Sequence, residues 1–307
     1  MVPFGLTNAP AVFNRVMRDV VQDIPGVEIF VDDVLIHTAD FGEHLRVLEE
    51  VFRRLSSANM TVKPSKCEIG QSVVQFLGHT VGAGKCSCQE DKIKKIKEAP
   101  TPRTKKQVRS FVSLAGYYRS FVPNFAVVAL PLYNLLKKNA PNKVQWGEAE
   151  ERAFQTLKQL LCTQPILQLA DFSKKFVLRT DASQDGIGAV LLQEFDGALF
   201  PVAYHSRKLR AAERNYSTVE RELLAVVEGI KKYQFYLYGD KFTLETDHMP
   251  LTTLRPSKTA NARLTRWALY LQQFPFTIKY IKGKQNVGAD LLSRLVSEDG
   301  ASLESVS

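Results

Sequence analysis

No stretch of this chain is long and apolar enough to cross a bilayer, and no secretory signal pattern opens it. A helical membrane protein is therefore excluded, and a soluble, non-secreted chain is expected. Cysteine is scarce. Cys67, Cys86, Cys88 and Cys162 are the only four in 307 residues, too few for a disulfide framework at this length, so reduced thiols are expected. Cys86-Ser-Cys88 lacks a second close ligand pair, which argues against zinc. Acids are outnumbered, 32 against 41 basic residues, and the formal charge of +9 favours a polyanionic partner over a small neutral one. No internal repeat or low-complexity tract is present. What remains is an ordinary globular composition, 45% hydrophobic, with length for about two domains of roughly 100–200 residues each.

The stretch around which the rest is organised is Phe176-Val-Leu-Arg-Thr-Asp-Ala-Ser-Gln-Asp-Gly-Ile-Gly-Ala-Val-Leu-Leu192. Phe176 to Thr180 alternates apolar and polar residues, Gln184-Asp185-Gly186 supplies turn chemistry, and Ile187 to Leu192 reads as a second strand. Asp181 sits within the first strand, where an unpaired carboxylate is costly, so it calls for partners. A third strand over Phe200 to Ser206 completes a meander. Ser217-Thr-Val-Glu220 is a capping box that opens a helix running to about Tyr236. On that helix Glu222 shares a face with Ala225, Val226 and Gly229 and points toward the sheet, whereas Glu220 and Glu228 read as surface acids. Phe242 to Thr246 is a fourth strand ending at Asp247. Phe276 to Ile281 is a fifth, and between them Leu264, Trp267, Ala268 and Leu271 mark an amphipathic helix. Asn286 to Arg294 reads as a short closing helix with Asp290 in its first turns.

The first half begins with turn-rich Met1 to Pro10 and a helix over Ala11 to Val21, with Val12, Phe13, Val16, Met17 and Val20 at helical spacing. Val27 to Ile36 reads as two apolar strands joined at Asp32-Asp33. Adjacent carboxylates at a hairpin tip suit a cation, and equally suit a simple turn. Residues 40–60 form an amphipathic helix whose apolar face, Phe41, Leu45, Leu48, Val51, Phe52 and Leu55, is core packing. From Asp91 the composition turns basic through Arg109, around Pro100-Thr-Pro102, and Val108 to Phe121 reads as an aromatic-rich helix. The lysines suit phosphate contact, a solvated face or a nuclear-import signal. Pro123, Pro131 and Pro141 break helices, Trp146 and Phe154 look like core anchors, a helix runs from about Glu148 to Leu161, and a domain boundary is expected near residues 137–145.

Pro3-Phe-Gly-Leu-Thr-Asn-Ala-Pro10, Phe30-Val-Asp-Asp33, Lys63-Pro-Ser-Lys-Cys67 and Phe76-Leu-Gly-His79 resemble, in order and spacing, the reverse transcriptase of gypsy-like long-terminal-repeat retrotransposons. Arg179 to Ser183, Tyr216 to Ala225, Glu245 to His248 and Asn286 to Asp290 resemble the RNase H domain that follows the polymerase in those elements. The resemblance implies an α/β (α+β) architecture: a truncated palm over residues 1–82, a helical thumb over 83–140, a connection over 141–175, an RNase H-like five-stranded mixed sheet with helices over 176–295, and a tail over 296–307. It implies Asp32 as a polymerase metal ligand with Asp33 its less essential neighbour and Phe30 in place of the usual tyrosine. Phe4 would lie by the incoming nucleotide, Lys66 near its phosphates, and Phe76-Leu-Gly78 at the primer end. Asp181, Glu222, Asp247 and Asp290 would be the four acids holding two Mg²⁺ ions, with Mn²⁺ an alternative, for cleavage of RNA in RNA–DNA hybrids.

In the polymerase family the carboxylate that bridges both ions lies on a strand upstream of Pro-Phe-Gly. No Asp in residues 1–31 replaces it, so no polymerase activity is expected from this chain alone. The loop Tyr280 to Gln285 has no histidine of the kind found in many RNases H, which implies slower turnover. The partners implied are an RNA–DNA hybrid or template-primer duplex, a dimer mate or the remainder of a Pol polyprotein, and no membrane. The implied location is cytoplasmic, in a virus-like particle, or nuclear. Two other readings stay open: an inert or domesticated nucleic-acid-binding remnant, and one part of a longer Pol reading frame that has polymerase activity.

Overall fold

A computed structural model describes residues 8–163, 166–247 and 262–281. Phe4, Asp290, the closing helix and the tail lie outside the described residues. The chain divides into two compact units, Met1–Ala83 and Gly84–Ser307.

The first unit is small. Helix α1 (Ala9–Val21) opens with a proline in its first turn and is followed by β1 (Val27–Phe30), β2 (Asp33–Ile36) and helix α2 (Phe41–Ser57). Asp40 caps α2 by accepting the Glu43 N–H at 2.9 Å. Met17, Val21, Ile24, Val27, Val51 and Leu55 form the core. The apolar stripes read from sequence are only partly used: Val12, Phe13 and Val16 of α1 and Phe41, Leu45 and Phe52 of α2 are exposed, because this core is confined to the C-terminal halves of both helices. Strand β3 (Val73–Phe76) and β4 (His79–Gly82) make a second hairpin. Leu77 and Gly78 both have positive φ, 47° and 71°, as a two-residue turn of type I′ requires.

In the β1–β2 hairpin Phe30 pairs with Asp33, so the connecting residues are Val31 and Asp32, not Asp32 and Asp33. Val31 takes φ 56°, a conformation that a β-branched side chain resists. Asp33 is thus the first strand residue, and only Asp32 belongs to the turn.

The second unit begins with β5 (Lys85–Cys88) and the helices α3 (Glu90–Lys97), α4 (Lys105–Tyr117), α5 (Phe125–Val128), α6 (Leu130–Leu135) and α7 (Glu148–Cys162). Helix α4 starts three residues before the apolar pattern does, because Thr104 and Gln107 form a capping box. Pro131 lies in the first turn of α6 and starts that helix instead of breaking it. Phe154 is the anchor expected: its ring lies 4.5 Å from Phe111 and 5.7 Å, edge-on, from Trp146. Strand β6 (Ile166–Gln168) pairs antiparallel with β5. Cys86 and Cys88 lie on β5 as free thiols, and burial pushes Cys88 up to about 12.

The remainder is a five-stranded mixed sheet, as expected: β7 (Phe176–Ala182), β8 (Gly186–Phe195), β9 (Ala198–Lys208), then α8 (Thr218–Lys232), α9 (Gln234–Leu237), β10 (Phe242–Thr246), α10 (Ala262–Leu271) and β11 (Phe276–Tyr280). The spatial order is β11-β10-β7-β8-β9. β8 runs antiparallel to both β7 and β9, and β10 runs parallel to both β7 and β11. Leu178, Leu191, Val226, Ile230 and Tyr233 bury the α8–sheet interface. Gly229 makes it tight: a Cβ there would meet Ala189 Cβ at 3.1 Å and Thr180 Cγ2 at 3.4 Å. The opposite side of β9 is covered by α5 and the chain leading into it, where Ala126 N–H of α5 donates to Ser206 Oγ at 2.9 Å and Arg119 donates to the Ser206 carbonyl.

Candidate active site

Parallel pairing decides where the acids go. Glu245 of β10 stands opposite Arg179 of β7, so two residues further along Asp247 comes level with Asp181 at the same end of the sheet. The Ser217 capping box fixes the start of α8, which brings Glu222 over that end. Ligand oxygens of Asp181, Glu222 and Asp247 all lie within 4.8 Å of one another. Among the described residues this is the only cluster of its kind.

The electrostatics are those of an acidic site without its counter-charge. Glu222 is buried, and its Oε2 has no hydrogen-bond partner. Burial, then the nearby Asp181 and Asp247, push its carboxyl up to about 8. Burial and then Asp247 raise Asp181 as well. Converging oxygen donors with an unsatisfied lone pair and no thiol or imidazole suit a hard divalent cation. The residues present therefore fit such an ion.

Beside this site the sheet holds a polar layer that sequence reasoning missed. Arg179 Nε and Nη2 donate to Glu245 Oε2 at 3.0 and 2.6 Å, and Lys279 lies 3.3 Å from Glu245 Oε1. Arg179 and Glu245 each stand two residues before a site acid, but that spacing does not report that their two strands pair. Glu220 and Glu228 are not plain surface acids either. Glu220 accepts from the Ser217 backbone at 2.9 Å and pairs with Arg263 at 3.3 Å, while Glu228 accepts from Arg207 at 3.0 Å.

The other expected residues lie elsewhere. Asp32 and Asp33 are exposed at the β1–β2 hairpin of the first unit, and among the described residues no third metal-capable side chain clusters with them. Lys66 ends an exposed 3-10 turn, Phe76 ends β3 half-buried, and Gly78 occupies the following turn.

Residues 1–81 match the family described as reverse transcriptase (RNA-dependent DNA polymerase), and residues 171–274 match the RNase H-like domain found in reverse transcriptase. The retrovirus-related Pol polyprotein from transposon 297 of Drosophila melanogaster is 42% identical over 300 residues, which cover 97% of this chain and 28% of that polyprotein. The chain belongs to the retrotransposon Pol family. Similar Pol relatives include the transposon opus polyprotein of the same fly, 37% identical over 96% of this chain and 30% of its own length, and the Tf2-3 polyprotein of Schizosaccharomyces pombe, 36% identical over 97% and 23%. The chain thus spans less than a third of the length of these Pol polyproteins. Among solved structures, the foamy viral protease-reverse transcriptase in complex with double-stranded DNA matches with a TM-score of 0.79 at 27% identity, over 91% of this chain and 50% of that one. The same viral protein with an RNA/DNA hybrid matches with a TM-score of 0.76 at 26% identity, over 92% and 39%.

Proposed function

We propose that this Pol chain cleaves the RNA strand of RNA–DNA hybrids in a Mg²⁺-dependent reaction at Asp181, Glu222 and Asp247. The observation that carries the reading is the convergence of the three acids within 4.8 Å, with Glu222 Oε2 left without a partner. Two bound ions supply a nucleophile at neutral pH and a sink for charge on the scissile phosphate. Asp181, on the central strand of the sheet, is the acid we assign to bridge both ions. Asp247 and Glu222 complete the two ligand sets, and Asp290 is proposed as the fourth acid from the family resemblance. The buried pair of Arg179 and Glu245 fixes the register of β7 on β10, so the acids meet without rearrangement when substrate binds. The hybrid is proposed because the similar viral protein was solved with one and because the chain carries net positive charge.

For the polymerase motif we propose that Asp32, Asp33, Phe4, Lys66, Phe76 and Gly78 keep their family positions at a template-primer, without synthesis by this chain alone. A two-ion phosphoryl transfer needs a carboxylate bridging both ions, and none joins Asp32 and Asp33 among the described residues.

The deciding experiment incubates the chain with a labelled RNA–DNA hybrid and Mg²⁺, beside Asp181→Asn. Products with 3′-hydroxyl and 5′-phosphate ends, absent in the variant, are expected. Equal cleavage by both proteins refutes the assignment, and duplex binding without cleavage leaves a nucleic-acid-binding remnant.

A further inference from the structure

Side chains alternate across a strand, so Ala189 and Gly188 of β8 face opposite sides of the sheet. Ala189 meets Gly229 of α8, whereas Gly188 faces the chain leading into α5. There Asn124, the residue before α5, is held in the left-handed conformation at φ 49° and ψ 30°. Its Oδ1 occupies the space that a side chain at Gly188 would need, since a Cβ built there overlaps it. At Gly186, two residues back on the same face, a Cβ would come within 2.8 Å of Val127 Cγ2. The two glycines therefore admit the Asn124–Val127 segment against β8 at a distance that any larger residue forbids.

The place of contact is what matters. Gly188 is the register partner of Asp181 across the β7–β8 ladder. Asn124, Asp181 and Gly188 line one cavity of about 20 Å³ together with Arg179 and Tyr204. That volume admits about one water, and the lining carries the several polar partners that a buried water needs. The carboxamide thus lies against Gly188 on the side of the sheet opposite α8, and it shares with Asp181 the lining of one cavity. Asn124 lies outside the segment 171–274 that matches the RNase H-like family, and nothing in the reading of the acids requires it.

We propose that Asn124 is a positioning residue for Asp181, so that the helical segment preceding the nuclease domain forms part of its metal site. The inference rests on the nuclease reading for its consequence in cleavage, but not for its geometry. Residues that orient a metal-binding carboxylate through a hydrogen bond or a shared water change metal affinity or turnover by about 10- to 100-fold when removed.

The test uses the full chain and four variants: Asn124→Gly, Asn124→Ala, Gly188→Ala, and Gly188→Ala combined with Asn124→Gly. Four quantities are measured: the melting temperature without metal, the Mg²⁺ concentration giving half the maximal thermal shift, and kcat and KM on a hybrid. Glycine suits φ 49°, so Asn124→Gly is expected to melt as the parent does without metal yet need about 10-fold more Mg²⁺. Its kcat falls while KM for the hybrid holds. Asn124→Ala, which keeps a Cβ but no amide, carries the same expectation for Mg²⁺. Gly188→Ala lowers the metal-free melting temperature through its overlap with Asn124, and adding Asn124→Gly restores that temperature but not the Mg²⁺ requirement. A parental Mg²⁺ midpoint in either Asn124 variant overturns the proposal, as does loss of the fold in both. A parent that is stabilised by Mg²⁺ but cleaves no hybrid refutes the nuclease reading and leaves the positioning test readable by thermal shift. A parent indifferent to Mg²⁺ overturns both.

Discussion

Arg179 and Glu245 face each other across the parallel strands β7 and β10 with only 11% and 3% of their side chains exposed, and the guanidinium donates twice to one carboxylate oxygen. Lys279 of β11 approaches the other oxygen, so a single carboxylate ties three neighbouring strands. Removing one member of such a pair leaves a buried charge without compensation, at a cost of about 3–5 kcal/mol, whereas replacing both by apolar residues of similar volume is near neutral. Urea unfolding should therefore show a large loss for Glu245→Gln or Arg179→Met, and recovery of most of it when Arg179→Met is combined with Glu245→Leu. A double variant no more stable than the single ones would show that the ions themselves, and not only their pairing, hold the sheet.

Asp181, Glu222 and Asp247 lie within 4.8 Å of one another, and a divalent ion shared by the three would relieve their mutual repulsion. Mg²⁺ should raise the melting temperature of the parent chain, and Asp181→Asn should abolish the increment while melting no lower without metal. Differential scanning fluorimetry with and without EDTA measures both.

The pH dependence follows from Glu222. Its carboxyl is raised from 4.5 to about 8, chiefly by burial, so the fold favours the protonated form. The metal-free chain is then unaffected by this group below pH 4.5, loses stability as pH rises between 4.5 and about 8, and carries the whole penalty above that. Glu222→Gln should flatten this limb of a stability profile, and Mg²⁺ should restore the parent most strongly at its alkaline end. A profile identical in the parent and Glu222→Gln counts against a buried, desolvated carboxyl.

Val31 holds φ 56° at the β1–β2 turn beside Asp32. Left-handed backbone costs an L-residue about 1–2 kcal/mol, and glycine escapes that cost. Val31→Gly should stabilise the first unit by about 1 kcal/mol in urea unfolding, and a destabilising result would mean that the valine side chain has packing worth more than its strain.

Much of the RNase H-like half was legible because its signals are local. The alternation from Phe176, the turn at Asp185-Gly186 and the Ser217–Glu220 capping box each act over a few residues, and together they set Asp181 and Glu222 in their elements. What was hidden depends on distant partners. Arg179 with Glu245 and Glu228 with Arg207 are paired by tertiary packing, and no periodicity reports such pairs. The apolar stripe of α2, read as core packing, misled for the same reason: helical spacing says which residues share a face, not how far the neighbouring core extends along it. At Val31 the turn chemistry of two adjacent aspartates pointed one residue too far, since the pairing of Phe30 with Asp33 overrides local preference.

The strand order has a kinetic consequence. β7, β8 and β9 are contiguous in sequence and close by short turns, but β10 must return across α8 to lie beside β7. Closing that long loop comes at an entropic disadvantage that only the finished crossover repays, so parallel pairing is the slow event in assembling this half. Asp181 thus lies in the part of the sheet that can close through short turns, and Asp247 comes level with it only once β10 docks beside β7.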